Sequence, residues 1–148
     1  MMRLKAITAL AALVLCAGLA MGAERSVVLV TSVKCQMEDI SMLDIRKAYL
    51  GVDVSYKGNV LQAFRHDADE QLQAVFLQNV VAMSERTYER RLLRLLLKSG
   101  RPRPPQINSD SELEETLNAV PCGISYMWKQ DADGYATLKV LKVLWQEN

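Results

Sequence analysis

The sequence contains one histidine, His66, and none of the short patterns that carry common enzyme chemistry. It has no GxSxG, HExxH or CxxC pattern and no Walker-type glycine loop. A thiol of Cys35 or Cys122 acting with His66 is a nucleophile and base pair that the residue types allow, but unrelated positions give it no support. The acidic stretches are typical of helix starts and solvated faces. We therefore expect no catalytic residue, no metal and no cofactor.

An excess of charge of either sign is also missing. Lysine and arginine number 18 against 17 aspartates and glutamates, which gives a formal net charge of +1. Removal of residues 1–22, with Arg3 and Lys5, would change that charge to −1. No global basic field therefore favours nucleic acid or an acidic membrane surface as a partner.

The first residues have the pattern of a secretory signal peptide. Arg3 and Lys5 precede an apolar run over residues 6–20, which ends in the small residues "AMGA". Cleavage after Gly22 is slightly favoured over cleavage after Ala23, because it places small residues at both recognition positions. We expect residues 1–22 to be the signal peptide and residues 23–148 to be periplasmic.

Two other interpretations of the leader are weaker. An uncleaved membrane anchor is disfavoured because roughly 15 apolar residues fall short of the ~20 that span a bilayer. A lipoprotein signal at Cys16 is disfavoured because Leu15 is bulky and further apolar residues follow. The remaining chain of about 125 residues is enough for one domain with one core, and no stable membrane insertion is expected after cleavage.

Cysteine is scarce in the expected mature chain, with only Cys35 and Cys122. An exported chain meets an oxidising compartment, where one disulfide could form. The residues alone also allow two buried, unpaired thiols.

The hydrophobic pattern alternates between strand and helix. Strands are predicted over residues 26–32, 59–65, 123–128 and 137–145. Helices are predicted to start at Ser41, near Leu72, at Ser84 and at Ser109, where Glu112 follows at capping-box spacing. Gly51 and Gly100 are predicted to end the first and third of these helices. A turn is predicted over residues 130–135. This order predicts an α/β fold, a single three-layer-like domain with a small mixed sheet covered by helices.

Two helical stripes and one connector complete the prediction. In the second helical region Leu72, Val75, Phe76, Asn79 and Val80 share one face, and in the third Tyr88, Leu92, Leu95 and Leu96 form a core stripe. The proline-rich segment 101–106 is predicted to be an extended connector.

Four segments, in order, give the chain a family resemblance. They are "LDIRKAYLG" (43–51), "AFRHDADEQLQAVF" (63–76), "SGRPRPPQINSDSEL" (99–113) and "PCGISYMW" (121–128). Together they resemble the small exported proteins known as phosphate ABC transporter substrate-binding-like, which are similar to one lobe of the type 2 periplasmic binding-protein fold. The resemblance extends from about Val27 to Leu144.

The resemblance implies a periplasmic protein that binds a solute or a partner without chemistry of its own. Classical phosphate binders place Ser-Gly-Thr at the helix start after an arginine-ended strand, so that N–H groups and hydroxyls converge on the anion. Here Asp67, Asp69 and Glu70 occupy those positions. Negative charge opposes an anion there, so we expect Asp67 or Asp69 to cap the helix instead.

Three further positions have both a ligand interpretation and a structural one. Arg65 matches the family's strand-end arginine and could clamp an oxyanion or carboxylate, or form a salt bridge to Asp67, Asp69 or a neighbouring carboxylate. Thr31 and Ser32 end the first strand and could donate hydroxyls to a ligand or cap the strand exit.

Arg101 and Arg103 could contact an acidic partner or be solvated. Since the chain is long enough for only one of two lobes, two functions stay open. The first is a solute-binding-like protein for a small anion or other solute, served by a membrane transporter. The second is an interaction or sensory module that presents the lobe to a membrane receptor or envelope complex.

Overall fold

The computed structural model describes residues 24–148, so the signal-peptide prediction for residues 1–22 lies outside the described residues. The strands are β1 (Ser26–Ser32), β2 (Ser55–Tyr56), β3 (Asn59–Val60), β4 (Gln62–Ala63), β5 (Arg65–His66), β6 (Gln106–Ile107), β7 (Gly123–Trp128) and β8 (Leu138–Gln146). The helices are α1 (Met42–Tyr49), α2 (Glu70–Phe76), α3 (Glu85–Ser99), α4 (Asp110–Ala119) and α5 (Lys129–Ala132), with a π-helical turn at Leu77–Val81.

The main sheet has four strands in the order β4-β7-β1-β8. β1 is antiparallel to both of its neighbours, whereas β4 runs parallel to β7. β5 and β6 form a separate parallel pair, and β2 and β3 form a short hairpin. The predicted small mixed sheet is confirmed.

Helices cover both faces of this sheet. Alternate residues of β1 point to opposite sides, as in any strand. Val27 and Leu29 join a core that includes Ile45 and Phe76 from α1 and α2, whereas Val28 and Val30 join a second core with residues of α4 and α5. Both faces of β1 are therefore buried, which explains why its apolar run is uninterrupted. The predicted three-layer arrangement is confirmed.

Cys35 and Cys122 lie at the same end of the sheet. Cys35 follows β1 and Cys122 directly precedes β7, and the structure joins their sulfurs at 2.07 Å with the Cα atoms 4.9 Å apart. The bridge therefore closes most of the domain into one loop.

The prediction of one continuous strand over residues 59–65 is wrong. The Phe64 amide still donates to the Ile124 carbonyl of β7, but the Arg65 amide donates to Pro105 beside β6. The chain therefore changes partner strand twice, because β3 pairs with β2, β4 with β7 and β5 with β6.

Three helical predictions also need correction. α2 ends at Phe76 and continues as the π-helical turn, so Asn79 is exposed and Leu77 is buried instead. In α3, Tyr88 and Leu92 are buried, but Leu96 is 38% exposed. The predicted turn at residues 130–135 begins with the short helix α5.

Gly123 opens β7 where no side chain has room. A Cβ built there would lie 2.6 Å from Val120 Cγ2 and 3.0 Å from Phe64 Cε2. We expect Gly123→Ala to lower the free energy of unfolding by about 1–3 kcal/mol, because crowding in a packed core forces its neighbours to shift. Denaturant unfolding measures this loss. Adding Val120→Ala removes the nearest atom and should make the double variant less than additive; full additivity would contradict the crowding argument.

Candidate functional site

The candidate site lies where the parallel strands β5 and β6 lead into α2 and α4. In open α/β sheets, ligands bind beyond the carboxyl ends of strands, where helix N-termini offer N–H donors. Here the chain's own side chains take those donors. Asp69 Oδ1 accepts from the amides of Gln71 and Leu72, and Ser109 Oγ accepts from the Glu112 amide.

Asp69 is the N-cap of α2, one of the two residues predicted for this role. Its second oxygen accepts a 2.7 Å bond from the indole N–H of Trp128. This indole bond, together with the two helix amides, lowers the pKa of the Asp69 carboxyl. The guanidinium of Arg25 lies 4.0 Å above the Trp128 ring and adds positive charge nearby. Asp69 therefore already has the contacts that an anionic ligand would make.

Asp67 does not cap the helix. Its amide donates to the Ile107 carbonyl at 2.8 Å, which extends the contact between β5 and β6. Its Oδ1 atom is buried and has no hydrogen-bond partner among the described residues. A carboxylate oxygen in this position adds negative charge beside the helix start and opposes an oxyanion.

Arg65 is buried, with 3% of its surface exposed. Its Nε donates to the Pro104 carbonyl at 3.1 Å, and a terminal nitrogen forms a close ion pair with Glu89 of α3. The guanidinium also lies 5.8 Å from the centre of the Tyr88 ring. Of the two interpretations of Arg65, these contacts fit the salt bridge, because its donors are directed to groups of the chain.

The hydroxyls of Thr31 and Ser32 also bond internally. Thr31 is fully buried and donates to the Gly123 carbonyl at 2.7 Å, and Ser32 donates to Asn118 Oδ1 at 2.7 Å. Their partners belong to the start of β7 and to α4, whereas Arg65 bonds to the proline segment and α3. The structure therefore brings Thr31 and Ser32 together but not with Arg65.

The two arginines of the proline connector have partners too. Arg101 makes a two-pronged contact with the Asp53 carboxylate and donates to the Gly51 carbonyl at 2.6 Å. Arg103 lies 3.3 Å from Glu89, which it shares with Arg65. Both side chains are about 40% exposed, so these are surface ion pairs of small energy.

His66 is buried between two acceptors. Nδ1 lies 3.0 Å from the Tyr126 carbonyl oxygen, and Nε2 lies 2.9 Å from Asp110 Oδ1 at the start of α4. Cys35 and Cys122 are joined to each other, so within residues 24–148 neither cysteine offers His66 a free thiol.

Carboxylates outnumber cations in the open clefts around the site. One cleft of about 430 Å³ is lined by four carboxylates and by the cations Arg25 and Lys129, and another of about 700 Å³ is lined by Asp67, Glu70 and Glu85. Burial and the nearby carboxylate of Asp110 raise the pKa of Asp131. The local potential therefore disfavours anions.

Three contacts in this region are not predictable from the sequence: Trp128 with Asp69, Glu89 with Arg65 and Asp110 with His66. Each is distant in the chain, so only the fold brings the pair together. Of these contacts, the one between Trp128 and Asp69 has a sequence indication. A tryptophan that ends a buried strand has an N–H group that needs an acceptor.

We expect Asp69→Ala to lower the free energy of unfolding by about 1–2 kcal/mol at neutral pH, because the cap and the indole bond are both lost. A carboxyl with a lowered pKa stabilises the fold above its unfolded pKa, and that contribution disappears as the pH falls through the folded value. The loss should therefore shrink below about pH 4. Urea unfolding across pH measures it, with Asp69→Ser as the control that keeps a cap oxygen. A loss that does not change with pH would contradict the assignment.

The described part of the chain contains no group of three or more His, Cys, Asp or Glu side chains placed to hold a metal ion. None of the helices within residues 24–148 is long and apolar enough to cross a membrane.

Comparison with known proteins identifies the fold. No family model and no curated protein sequence matches the chain. Solved structures do match: PstS from Borrelia burgdorferi (TM-score 0.58, 13% identity) and an ABC-type phosphate transport receptor from Vibrio cholerae (TM-score 0.59, 9% identity). A possible phosphate binding protein from Planctomyces limnophilus matches with a TM-score of 0.57 and 15% identity.

Each match covers 80% of this chain but only 41–47% of the solved one. The chain thus spans less than half the length of the proteins that it resembles. The predicted similarity to one lobe of a phosphate-binding receptor is confirmed at the level of the fold.

Proposed function

We propose that this protein is a non-enzymatic, exported lobe of the periplasmic binding-protein type that acts as an interaction module rather than as a phosphate receptor. The observation that carries the proposal is the environment of Arg65. This arginine matches the family's strand-end arginine, but it is buried and bonded to Glu89 and Pro104.

The helix start next to Arg65 supports the same proposal. The amides of Gln71 and Leu72 already bond to Asp69. A phosphate would have to displace that carboxylate and would also meet Asp67 at close range. Two carboxylates within ~5 Å of a dianion each oppose it by about 2–7 kcal/mol at an effective dielectric of roughly 80 to 20.

The open form of the described lobe supports it as well. A solute held between two lobes loses most of its contact with water, whereas one lobe offers an open surface. The matched receptors are about twice as long as the part that this chain resembles. Residues 24–148 by themselves therefore offer a small solute an open surface.

A solute-binding role is the second candidate, and the solved structures that match the chain favour it. The three described above include phosphate-binding proteins by name. A low-affinity or dimeric binder of a small anion or other solute, delivered to a membrane transporter, would keep this fold. It would need a different ligand position from the helix start that Asp69 fills.

A thermal-shift titration of the purified protein separates the two candidates. Phosphate, sulfate, small carboxylates and amino acids are added at fixed ionic strength. A ligand at about 100 times its Kd stabilises the folded state by about 2.7 kcal/mol, which moves the midpoint by several degrees. If the protein is an interaction module, we expect none of these solutes to shift the thermal midpoint. A saturable shift with one solute would support the solute-binding candidate instead.

A further inference from the structure

We propose that the outer face of α3 docks on the surface of an anionic phospholipid bilayer. The inference rests on the proposed function, because it names the partner that an interaction module would contact. It concerns a surface separate from the helix start at Asp69.

Several leucines of α3 lie outside its buried face. Tyr88 and Leu92 are buried against the domain, but Leu93, Leu96 and Leu97 are 42%, 38% and 77% exposed. Leu93 and Leu97 are four residues apart and Leu96 lies between them, so the three share one side of the helix. Exposed leucines grouped in this way mark a contact surface more often than a lone exposed leucine does.

A row of cations lies beside the leucines. Arg86, Arg90, Arg94 and Lys98 follow one another at intervals of four residues, one position from the row of Leu93 and Leu97. All four are exposed, as is Arg91. Among residues 24–148 none of these five cations forms an ion pair. α3 has two acidic residues: Glu89 is already paired with Arg65 and Arg103, and Glu85 is the first residue of the helix.

The charges decide what can cover this face. Another copy of the chain presenting the same face would bring two basic rows together, so self-association is disfavoured. An anionic surface would instead be attracted by every cation in the row. The net charge of the whole chain does not show this attraction, because the positive charge is concentrated on one helix.

The chemistry of the face favours lipid over an acidic protein. Aromatic residues are enriched at the core of protein interfaces, whereas the exposed apolar residues of this face are all leucine. A helix with leucines on one side and lysine and arginine beside them is typical of segments that lie in the bilayer interface. Long basic side chains reach the headgroups while their stems stay with the apolar layer.

Co-sedimentation with vesicles tests this inference. The full protein should bind vesicles of phosphatidylglycerol and phosphatidylcholine in equal parts and not bind pure phosphatidylcholine, and added salt should weaken the binding. Arg90→Gln with Arg94→Gln should weaken partitioning about 25-fold, from roughly a factor of five for each charge. Leu93→Gln with Leu97→Gln should weaken it about tenfold or more, because the apolar contact is lost.

Matched controls come from other exposed positions. Lys34→Gln with Lys57→Gln removes two exposed cations outside α3, and Val140→Thr with Val143→Thr changes two exposed valines of β8. Both double variants should bind like the unchanged protein, and circular dichroism should show that all variants are folded.

Three results would overturn the inference: no binding to anionic vesicles at low salt, binding that the leucine pair does not affect, or binding to polyglutamate without binding to vesicles. The last would assign the face to an acidic protein. None of them alters the thermal-shift test of the proposed function, so the two can fail separately.

Discussion

Replacing Cys35 and Cys122 by serine is expected to lower the free energy of unfolding by about 4 kcal/mol. The two cysteines are 87 residues apart in sequence, so the bridge removes much of the freedom of the unfolded chain. On the chain-entropy estimate a loop of this size is worth between the ~3 kcal/mol of a 15-residue loop and the ~4.7 kcal/mol of a 100-residue loop. The thermal midpoint should fall by about 10–20 °C.

Comparison with reductant supplies the control. Treating the unchanged protein with dithiothreitol should give the same midpoint as the double serine variant, and reductant should not affect the variant. Mass spectrometry of the unreduced, alkylated protein should show no alkylated cysteine. Alkylation of both thiols, or a midpoint that neither treatment moves, would contradict the bridge as a source of stability.

Replacing Arg65 by glutamine is expected to lower the free energy of unfolding by about 2–4 kcal/mol. The substitution leaves the Pro104 carbonyl without its donor and leaves Glu89 without its buried partner. Removing one member of a buried ion pair costs about 3–5 kcal/mol, and the partial exposure of Glu89 reduces that figure here.

Arg103→Gln is the matched control, because Arg103 contacts the same carboxylate from an exposed position. Its loss should cost less than about 1 kcal/mol. Chemical denaturation of both variants gives the comparison. An Arg65 variant as stable as the Arg103 variant would contradict a structural role for Arg65 and would favour the clamp interpretation.

Local patterns predicted the elements whose causes are local. Residues 26–32 and 123–128 are buried on both faces, so their uninterrupted apolar runs were enough to identify β1 and β7. Ser41, Ser84 and Ser109 cap their helices as the cap rules predict, with side-chain oxygens that accept from an amide three residues on. Fold class follows from this order of elements.

The predictions that were wrong concern features with non-local causes. The strand predicted over residues 59–65 breaks because its parts pair with three different strands, β2, β7 and β6. The last of these partners lies some 40 residues further along the chain. The run of leucines in α3 cannot fit on one helix face, so the sequence implies that some are exposed, but which ones depends on how α3 meets α1.

In the candidate site, too, features with local causes were predictable and those with non-local causes were not. The loss of Ser-Gly-Thr and the cap role of Asp69 follow from the residues between His66 and Glu70. The partners of Arg65 and His66 do not, because Glu89 and Asp110 reach them only through the packing of α3 and α4.

Equilibrium dialysis of labelled phosphate against the purified, oxidised protein tests most directly the claim that the chain fills its own anion site. The account predicts no saturable binding up to millimolar phosphate, for the unchanged protein and for Arg103→Gln alike. Saturable binding that Arg65→Gln abolishes and Arg103→Gln preserves would contradict it, because Arg65 would then be free to hold a ligand.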